Sequence, residues 1–252
     1  MNHVASDSND EIYFISDAHL GSQAHPAEQE KEARLCAFFR AIRGRAHALY
    51  ILGDFFDFWF EYRSVVPRTG GKVLFELYNL TCSGTQVVYL GGNHDFWLGS
   101  YLSAEVGIQI HTEPIEVVHN GLRIFLAHGD EFYGGAKYRL FRKMLHHPLS
   151  SHLFRALHPD VGALLARWAS RVSGEKGAGC DLSRFEDGYM ATARQKFDQG
   201  CDVAVFGHLH IPLLREEGGK SVLVLGDWVH HFSYARLQGT LFSLHRWEER
   251  NS

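Results

Sequence analysis

Long apolar runs are missing from this 252-residue chain: nothing approaches the roughly 18 consecutive apolar residues that cross a bilayer, so no spanning helix is expected. Cysteine is sparse. Cys36, Cys82, Cys180 and Cys201 form no Cys-x-x-Cys pair and no disulfide-like spacing, which suits a reducing compartment and small buried thiols. A positive charge excess is absent too. The 25 Lys and Arg face 29 Asp and Glu, a net charge of -4, so no nucleic-acid partner is expected. Internal repeats and low-complexity tracts are also missing. Met1 to Asp10 is polar and acidic, without a secretory pattern, and reads as a loose tail.

What is present is ordinary globular composition, 45% hydrophobic and 21% charged, and a length suited to one domain with an insert. Histidine is abundant, at 17 residues, and its placement matters more than its number, because imidazole is the commonest metal ligand. Five short clusters stand out: Asp17-Ala18-His19, Gly53-Asp54, Gly91-Gly92-Asn93-His94-Asp95, His128-Gly129-Asp130 and Gly207-His208-Leu209-His210. Each follows an apolar run of strand length.

Strands are expected at Ile12–Ile15, Ala48–Leu52 and Gln86–Leu90, separated by helices at Glu28–Arg43 and Val73–Leu80. That alternation predicts an α/β domain with a parallel start to its sheet, and ligands in such sheets bind beyond the strands' carboxyl ends. Ile108–Ile110, Ile115–Val118 and Leu122–Ala127 read as neighbouring strands, the last two joined by an Asn120-Gly121 hairpin turn. Phe132 to Ser173 breaks the strand rhythm. Apolar residues there interleave with Lys137, Arg139, Arg142, Lys143, Arg155, Arg167 and Arg171 against a single acid, Asp160. We read residues 132–179 as a helical insert or lid ending in a glycine-rich connector, and the whole of 1–252 as one domain around it. A helix at Arg184–Phe197 and a strand at Val203–Phe206 follow. Ser221–Leu225, Ser233–Leu237 and Thr240–Leu244 are expected to be antiparallel strands closing a second sheet.

The clusters supply hard oxygen and imidazole ligands for two divalent cations, which need a bridging carboxylate with imidazoles and carbonyl oxygens around them. Asp54, ending the central early strand, is the expected bridge. Asp17 and His19 alternate on an extended segment and can face one ion. Asn93 offers an amide oxygen, and His128, His208 and His210 fill the remaining positions.

In this order the motifs resemble the calcineurin-like metallophosphoesterases, from about Ile12 to Leu244. The resemblance implies a four-layer α/β/β/α sandwich of two mixed sheets with two metals at the sheet edge. Asp17, His19, Asp54 and His210 would hold one, and Asp54, Asn93, His128 and His208 the other. It implies in-line attack on phosphorus by a metal-bridging hydroxide. His94 is left over from coordination and is the candidate catalytic imidazole, protonating the leaving oxygen or stabilising the phosphoryl oxygens, with Asp95 as the carboxylate that orients it.

Within the superfamily the chain looks most like the UDP-2,3-diacylglucosamine pyrophosphatases of lipid A biosynthesis. The residues that carry this are Ser16 to Leu20, Tyr50 to Trp59 and the His128-Gly129-Asp130 start of the insert. It departs from them at His94, where they carry Arg, and at Gly134-Gly135, where they are acidic. The likeness implies hydrolysis of UDP-2,3-diacylglucosamine to UMP and 2,3-diacylglucosamine 1-phosphate, with manganese as the metal. It also implies a cytoplasmic enzyme, peripheral on the inner face of the membrane. The basic, apolar insert suits a nucleotide-linked lipid substrate and an anionic membrane surface. Two alternatives stand beside this reading: a general phosphomonoesterase or phosphodiesterase, and a metal-free scaffold.

Overall fold

The computed structural model describes residues 11–133, 136–145, 147–165 and 185–248. The tail Met1–Asp10 and the connector expected at 173–179 lie outside the described residues.

Two sheets make up the sandwich. The first, in the order β11-β10-β1-β2-β3-β4, contains β1 (Glu11–Ile15), β2 (Ala46–Leu52), β3 (Gln86–Leu90), β4 (Gln109–His111), β10 (Ser233–Gln238) and β11 (Leu241–Arg246). The second, in the order β5-β6-β7-β9-β8, contains β5 (Ile115–His119), β6 (Leu122–Ala127), β7 (Val203–Phe206), β8 (Pro212–Glu217) and β9 (Lys220–Leu225). Strands β1 to β4 pair in parallel, and β10 closes antiparallel on β1.

Strand alternation assigns each face its partner. Phe14, Tyr50, Leu52, Val88 and Leu90 point inward and meet Ile124, Leu126, Val205, Leu223 and Leu225 of the second sheet. Their neighbours Tyr13, Ile15, Leu49, Ile51, Val87 and Tyr89 point outward, onto Leu35, Phe38 and Phe39 of α1 (His25–Ile42) and Val73, Leu77 and Leu80 of α2 (Gly71–Cys82). The outer face of the second sheet, with Phe125, Ala204, Phe206 and Val222, packs on Tyr189, Met190 and Ala193. These three clusters lie between the four layers of an α/β/β/α sandwich. Cys36 and Cys201 are buried free thiols.

Three expectations need correction. β4 is not a neighbour of β5: it pairs in parallel with β3 at the edge of the first sheet. The last two strands close the first sheet, not the second, and β9 is parallel to β7. The partner choice depends on contacts some 220 residues apart in sequence, which local pattern does not carry. The helix expected at Arg184–Phe197 is in its described part a turn of π-helix (Phe185–Met190) leading into an α-helix (Ala191–Asp198). The Asn120-Gly121 turn is as expected: both residues have positive φ, 52° and 82°, as a two-residue type I′ hairpin requires.

A short helix, α3 (Tyr101–Glu105), precedes β4, and after β6 the chain runs into helices α4 (Asp130–Tyr133), α5 (Ala136–Leu145) and α6 (Pro148–Arg155), then a helical stretch at 159–165. Phe154 of α6 packs against Phe58, Phe60 and Trp97 at centroid distances of 5.6, 4.8 and 4.8 Å, and Trp97 Nε1 donates to the Leu145 carbonyl (3.1 Å). These contacts fasten the helices to loops that leave β2 and β3. Among the described residues no helix is long and apolar enough to cross a membrane.

Candidate metal centre

All five sequence clusters lie just past the carboxyl ends of β1, β2, β3, β6 and β7. The backbone there is bent in one recurring way. Asp17, His19, Asp54, His208 and His210 have φ of 54°, 43°, 49°, 67° and 58°. L-residues adopt this left-handed region at a cost on the order of 1–3 kcal/mol each, less for Asp. Five together approach the whole net stability of a domain, so the flanking core strands must hold them in place, and such strain concentrates at functional sites.

Hydrogen bonds between the strand ends fix the arrangement. Asp17 N and His19 N donate to the carbonyls of Gly53 (3.1 Å) and Asp54 (2.9 Å), and Gly207 N donates to that of His128 (2.9 Å). His208 N donates to Asp17 Oδ2 and His94 N to Asp54 Oδ1, each at 2.8 Å. Two glycines permit the close approach. A Cβ on Gly207 would stand 2.8 Å from Asp17 Oδ2, and one on Gly92 would overlap the Asp54 carboxylate.

Three sets of side chains bring ligand atoms within 4.8 Å of one another: Asp17, His19 and His210; His19, Asp54 and His94; Asp54, His128 and His208. Asp54 Oδ2 lies between the outer sets, 3.8 Å from His19 Nε2 and 3.3 Å from His128 Nε2. Asn93 Oδ1 joins the last set, 3.0 Å from His128 Nε2. The seven expected ligands therefore converge.

The donor set fits cations. His128 Nδ1 lies 2.8 Å from the Leu52 carbonyl, which can only accept, so Nδ1 carries a proton and Nε2 faces the oxygens of Asp54 and Asn93, an arrangement that needs a positive charge, proton or cation, between them. His19 Nε2 and His210 Nε2 face each other at 3.2 Å. Asp17 Oδ1 is buried and accepts no hydrogen bond among the described residues, although His210 Nε2 lies 3.3 Å away. A positive charge among these atoms resolves all three conflicts. The electrostatics agree. Burial alone would raise the Asp54 carboxyl, yet His128 and His94 beside it hold it well below the usual carboxylate range. Burial likewise opposes protonation of His128 and His210, but the carboxylates of Asp54 and Asp17 raise both. His208 is pushed down to about 4 by burial and by its neighbour His128.

His94 and Asp95 divide differently from the expectation. Nδ1 of His94 faces the Asp57 carbonyl (3.2 Å) and Asp57 Oδ1 (3.6 Å), so the carboxylate beside this imidazole is that of Asp57. Asp95 turns inward. It accepts from the backbone N–H groups of Gly92 (2.8 Å), Phe56 (3.1 Å) and Asp54 (3.3 Å), and from the Tyr89 hydroxyl. It thereby clamps the loops after β2 and β3 together. Burial works against charge on His94, but Asp54 and Asp57 raise it to about 9.

A scan of family models matches the calcineurin-like phosphoesterase family over residues 11–212. The chain belongs to this family. Among its relatives are proteins named UDP-2,3-diacylglucosamine hydrolase. That of Porphyromonas gingivalis is 39% identical over 94% of this chain and 98% of its own length. One from Neisseria meningitidis is 33% identical over 89% and 92%. An archaeal phosphodiesterase shares the fold, with a TM-score of 0.50 and 14% identity over 94% of this chain and 99% of its own.

Three elements of this phosphoesterase's site escape the sequence reading. Asp57, besides facing His94, places Oδ1 3.7 Å from His19 Nδ1. Lys31 is buried, donates to the His19 carbonyl (2.7 Å) and pairs with Glu28 (3.1 Å). Its signal was available: Lys31 lies in register with Leu35, Phe38, Phe39 and Ile42 on the apolar side of α1. Asp227, in the turn after β9, places Oδ2 3.8 Å from His210 Nδ1. Nothing local marks it, because it comes to the site through the pairing of β9 and β10 with strands far away in sequence.

Proposed function

We propose that this phosphoesterase hydrolyses the pyrophosphate of UDP-2,3-diacylglucosamine at the α-phosphate, giving UMP and 2,3-diacylglucosamine 1-phosphate. The observation that carries the reaction type is the convergence of six other oxygen- and imidazole-bearing side chains around Asp54, a carboxylate placed between two ligand sets. The names of relatives that match nearly end to end support the substrate.

Asp17, His19, Asp54 and His210 would hold one divalent cation, and Asp54, Asn93, His128 and His208 a second, with manganese the proposed metal. Bound there, the cations supply an activated water and neutralise charge on the phosphoryl oxygens. The protein's own groups do the rest. His128 is oriented by the Leu52 carbonyl and His94 by Asp57. His94 has Nδ1 engaged, which leaves Nε2 to donate to a phosphoryl or leaving oxygen. Asp95 keeps the two loops that carry Asp54 and Asn93 in register.

The helices after β6 support a lipid substrate and an anionic membrane surface, and with it a cytoplasmic enzyme peripheral on the inner face of the membrane. Leu140, Met144, Leu149, Leu153 and Leu164 are each 58% or more exposed, beside Lys143 and Arg155. So much apolar surface on neighbouring helices marks a contact with something apolar. Arg142 ties these helices to the metal loops by reaching Asp130 (3.2 Å) and Glu131 (3.1 Å).

The test is turnover by the purified protein with manganese on two substrates, UDP-2,3-diacylglucosamine and bis-p-nitrophenyl phosphate. UMP release from the first supports the proposal. Cleavage of the diester alone points instead to a general phosphodiesterase, and no cleavage of either contradicts catalysis.

A further inference from the structure

One cluster of titratable groups adjoins the candidate ligands without belonging to them: Asp227 and His231, in the turn between β9 and β10. Asp227 is buried, and its Oδ1 accepts from the N–H groups of Val229 (2.9 Å), His230 (2.6 Å) and His231 (3.0 Å). Its Oδ2 lies 3.0 Å from His231 Nδ1 and 3.8 Å from His210 Nδ1. The turn is also fastened to a second ligand, since Trp228 N donates to the Asp17 carbonyl at 3.1 Å. His231 is therefore held beside the Asp17–His210 side of the site by a buried carboxylate it shares with His210.

We propose that His231 is a substrate-positioning residue whose Nε2 accepts a hydrogen bond from a hydroxyl of the sugar nucleotide.

A carboxylate can only accept, so its partner Nδ1 carries a proton, and in the neutral form of the ring Nε2 presents a lone pair. That lone pair suits a hydroxyl hydrogen and repels a phosphoryl oxygen. The ring is anchored at its inner edge while 42% of the side chain remains exposed, so the free edge faces outward. The next residue, Phe232, has φ 49°, a strained conformation for a bulky side chain, and carries the Arg34 guanidinium 4.3 Å from its ring centroid. The turn is thus held in a costly shape that aims one imidazole beside the candidate ligands. His230, its neighbour, is exposed, and among the described residues no carboxylate pairs with its ring.

The inference rests on the substrate proposed above, and the experiment separates the two. kcat/KM is measured for wild type, His231→Ala and His231→Phe on UDP-2,3-diacylglucosamine and on bis-p-nitrophenyl phosphate, which has no hydroxyl, with metal content recorded. His231→Phe keeps ring volume without Nε2. The expected result is a loss of about three- to tenfold on the sugar nucleotide, the scale of one neutral hydrogen bond, exceeding any loss on the diester by at least about threefold in both variants. Equal losses on the two substrates, or none on the sugar nucleotide while wild type cleaves it, overturn the role of His231 alone. Failure of wild type to cleave the sugar nucleotide overturns the substrate reading first.

Discussion

The Asp57 carbonyl lies 3.2 Å from Nδ1 of His94, with Oδ1 of the same residue at 3.6 Å, so one aspartate keeps a proton on Nδ1 and fixes the orientation of the imidazole beside Asp54. If His94 acts on the phosphoryl group, His94→Ala lowers kcat by about 10²–10⁴ while metal content stays near that of wild type. If Asp57 acts on turnover through His94 and not through His19, whose Nδ1 its Oδ1 also faces at 3.7 Å, adding Asp57→Asn to His94→Ala costs little more; a double-mutant cycle on kcat measures this.

Asp54 lies between the two proposed ligand sets, 3.8 Å from His19 Nε2 and 3.3 Å from His128 Nε2, so its removal should affect both. Manganese should raise the Tm of the wild-type protein through preferential binding to the folded state. Asp54→Ala should abolish most of that shift, and chelation should return wild type to its metal-free Tm. Differential scanning calorimetry with and without manganese reads all three.

Phe154 packs on Phe58, Phe60 and Trp97, and Phe58 directly follows Asp57. Phe154→Ala should therefore loosen α6 from the rim of the site without touching a ligand. KM for the lipid sugar nucleotide should rise by more than KM for the small diester; equal effects on both would count against a role for these helices in lipid binding.

Asp227 gives a pH dependence with a definite sign. Burial pushes its carboxyl up, but the N–H donors of His230, His231 and Val229 and the His231 ring outweigh burial and hold it below the usual value. A carboxyl depressed in the folded state stabilises above its unfolded pKa, about 3.9, and that stabilisation disappears as pH falls through the lower folded pKa. The metal-free wild type should lose Tm below about pH 4. Asp227→Asn should start with a lower Tm at neutral pH and show a shallower fall in acid.

Much of this centre is legible in the sequence because its chemistry is local. A buried apolar run followed by Gly-Asp or Gly-His states both the strand and its ligand, and β3 and β7 span Gln86–Leu90 and Val203–Phe206 as expected. What stays hidden is non-local. β8 begins with Pro212 and carries Arg215, Glu216 and Glu217, the marks of a sheet edge and a weak strand signal. Asp95 and Asp57 are both near a catalytic motif in sequence, and only the fold reveals that Asp95 faces backbone N–H groups while Asp57 faces His94. The register of Lys31 with the apolar side of α1 is legible in the sequence, but its partner, the His19 carbonyl, is revealed only by the fold.

The most direct test of the central claim, that Asp54 is shared by two cations, is anomalous diffraction from crystals grown with manganese. The account predicts two peaks flanking the Asp54 carboxylate, one among Asp17, His19 and His210 and the other among Asn93, His128 and His208. A single peak, or peaks away from Asp54, would contradict it.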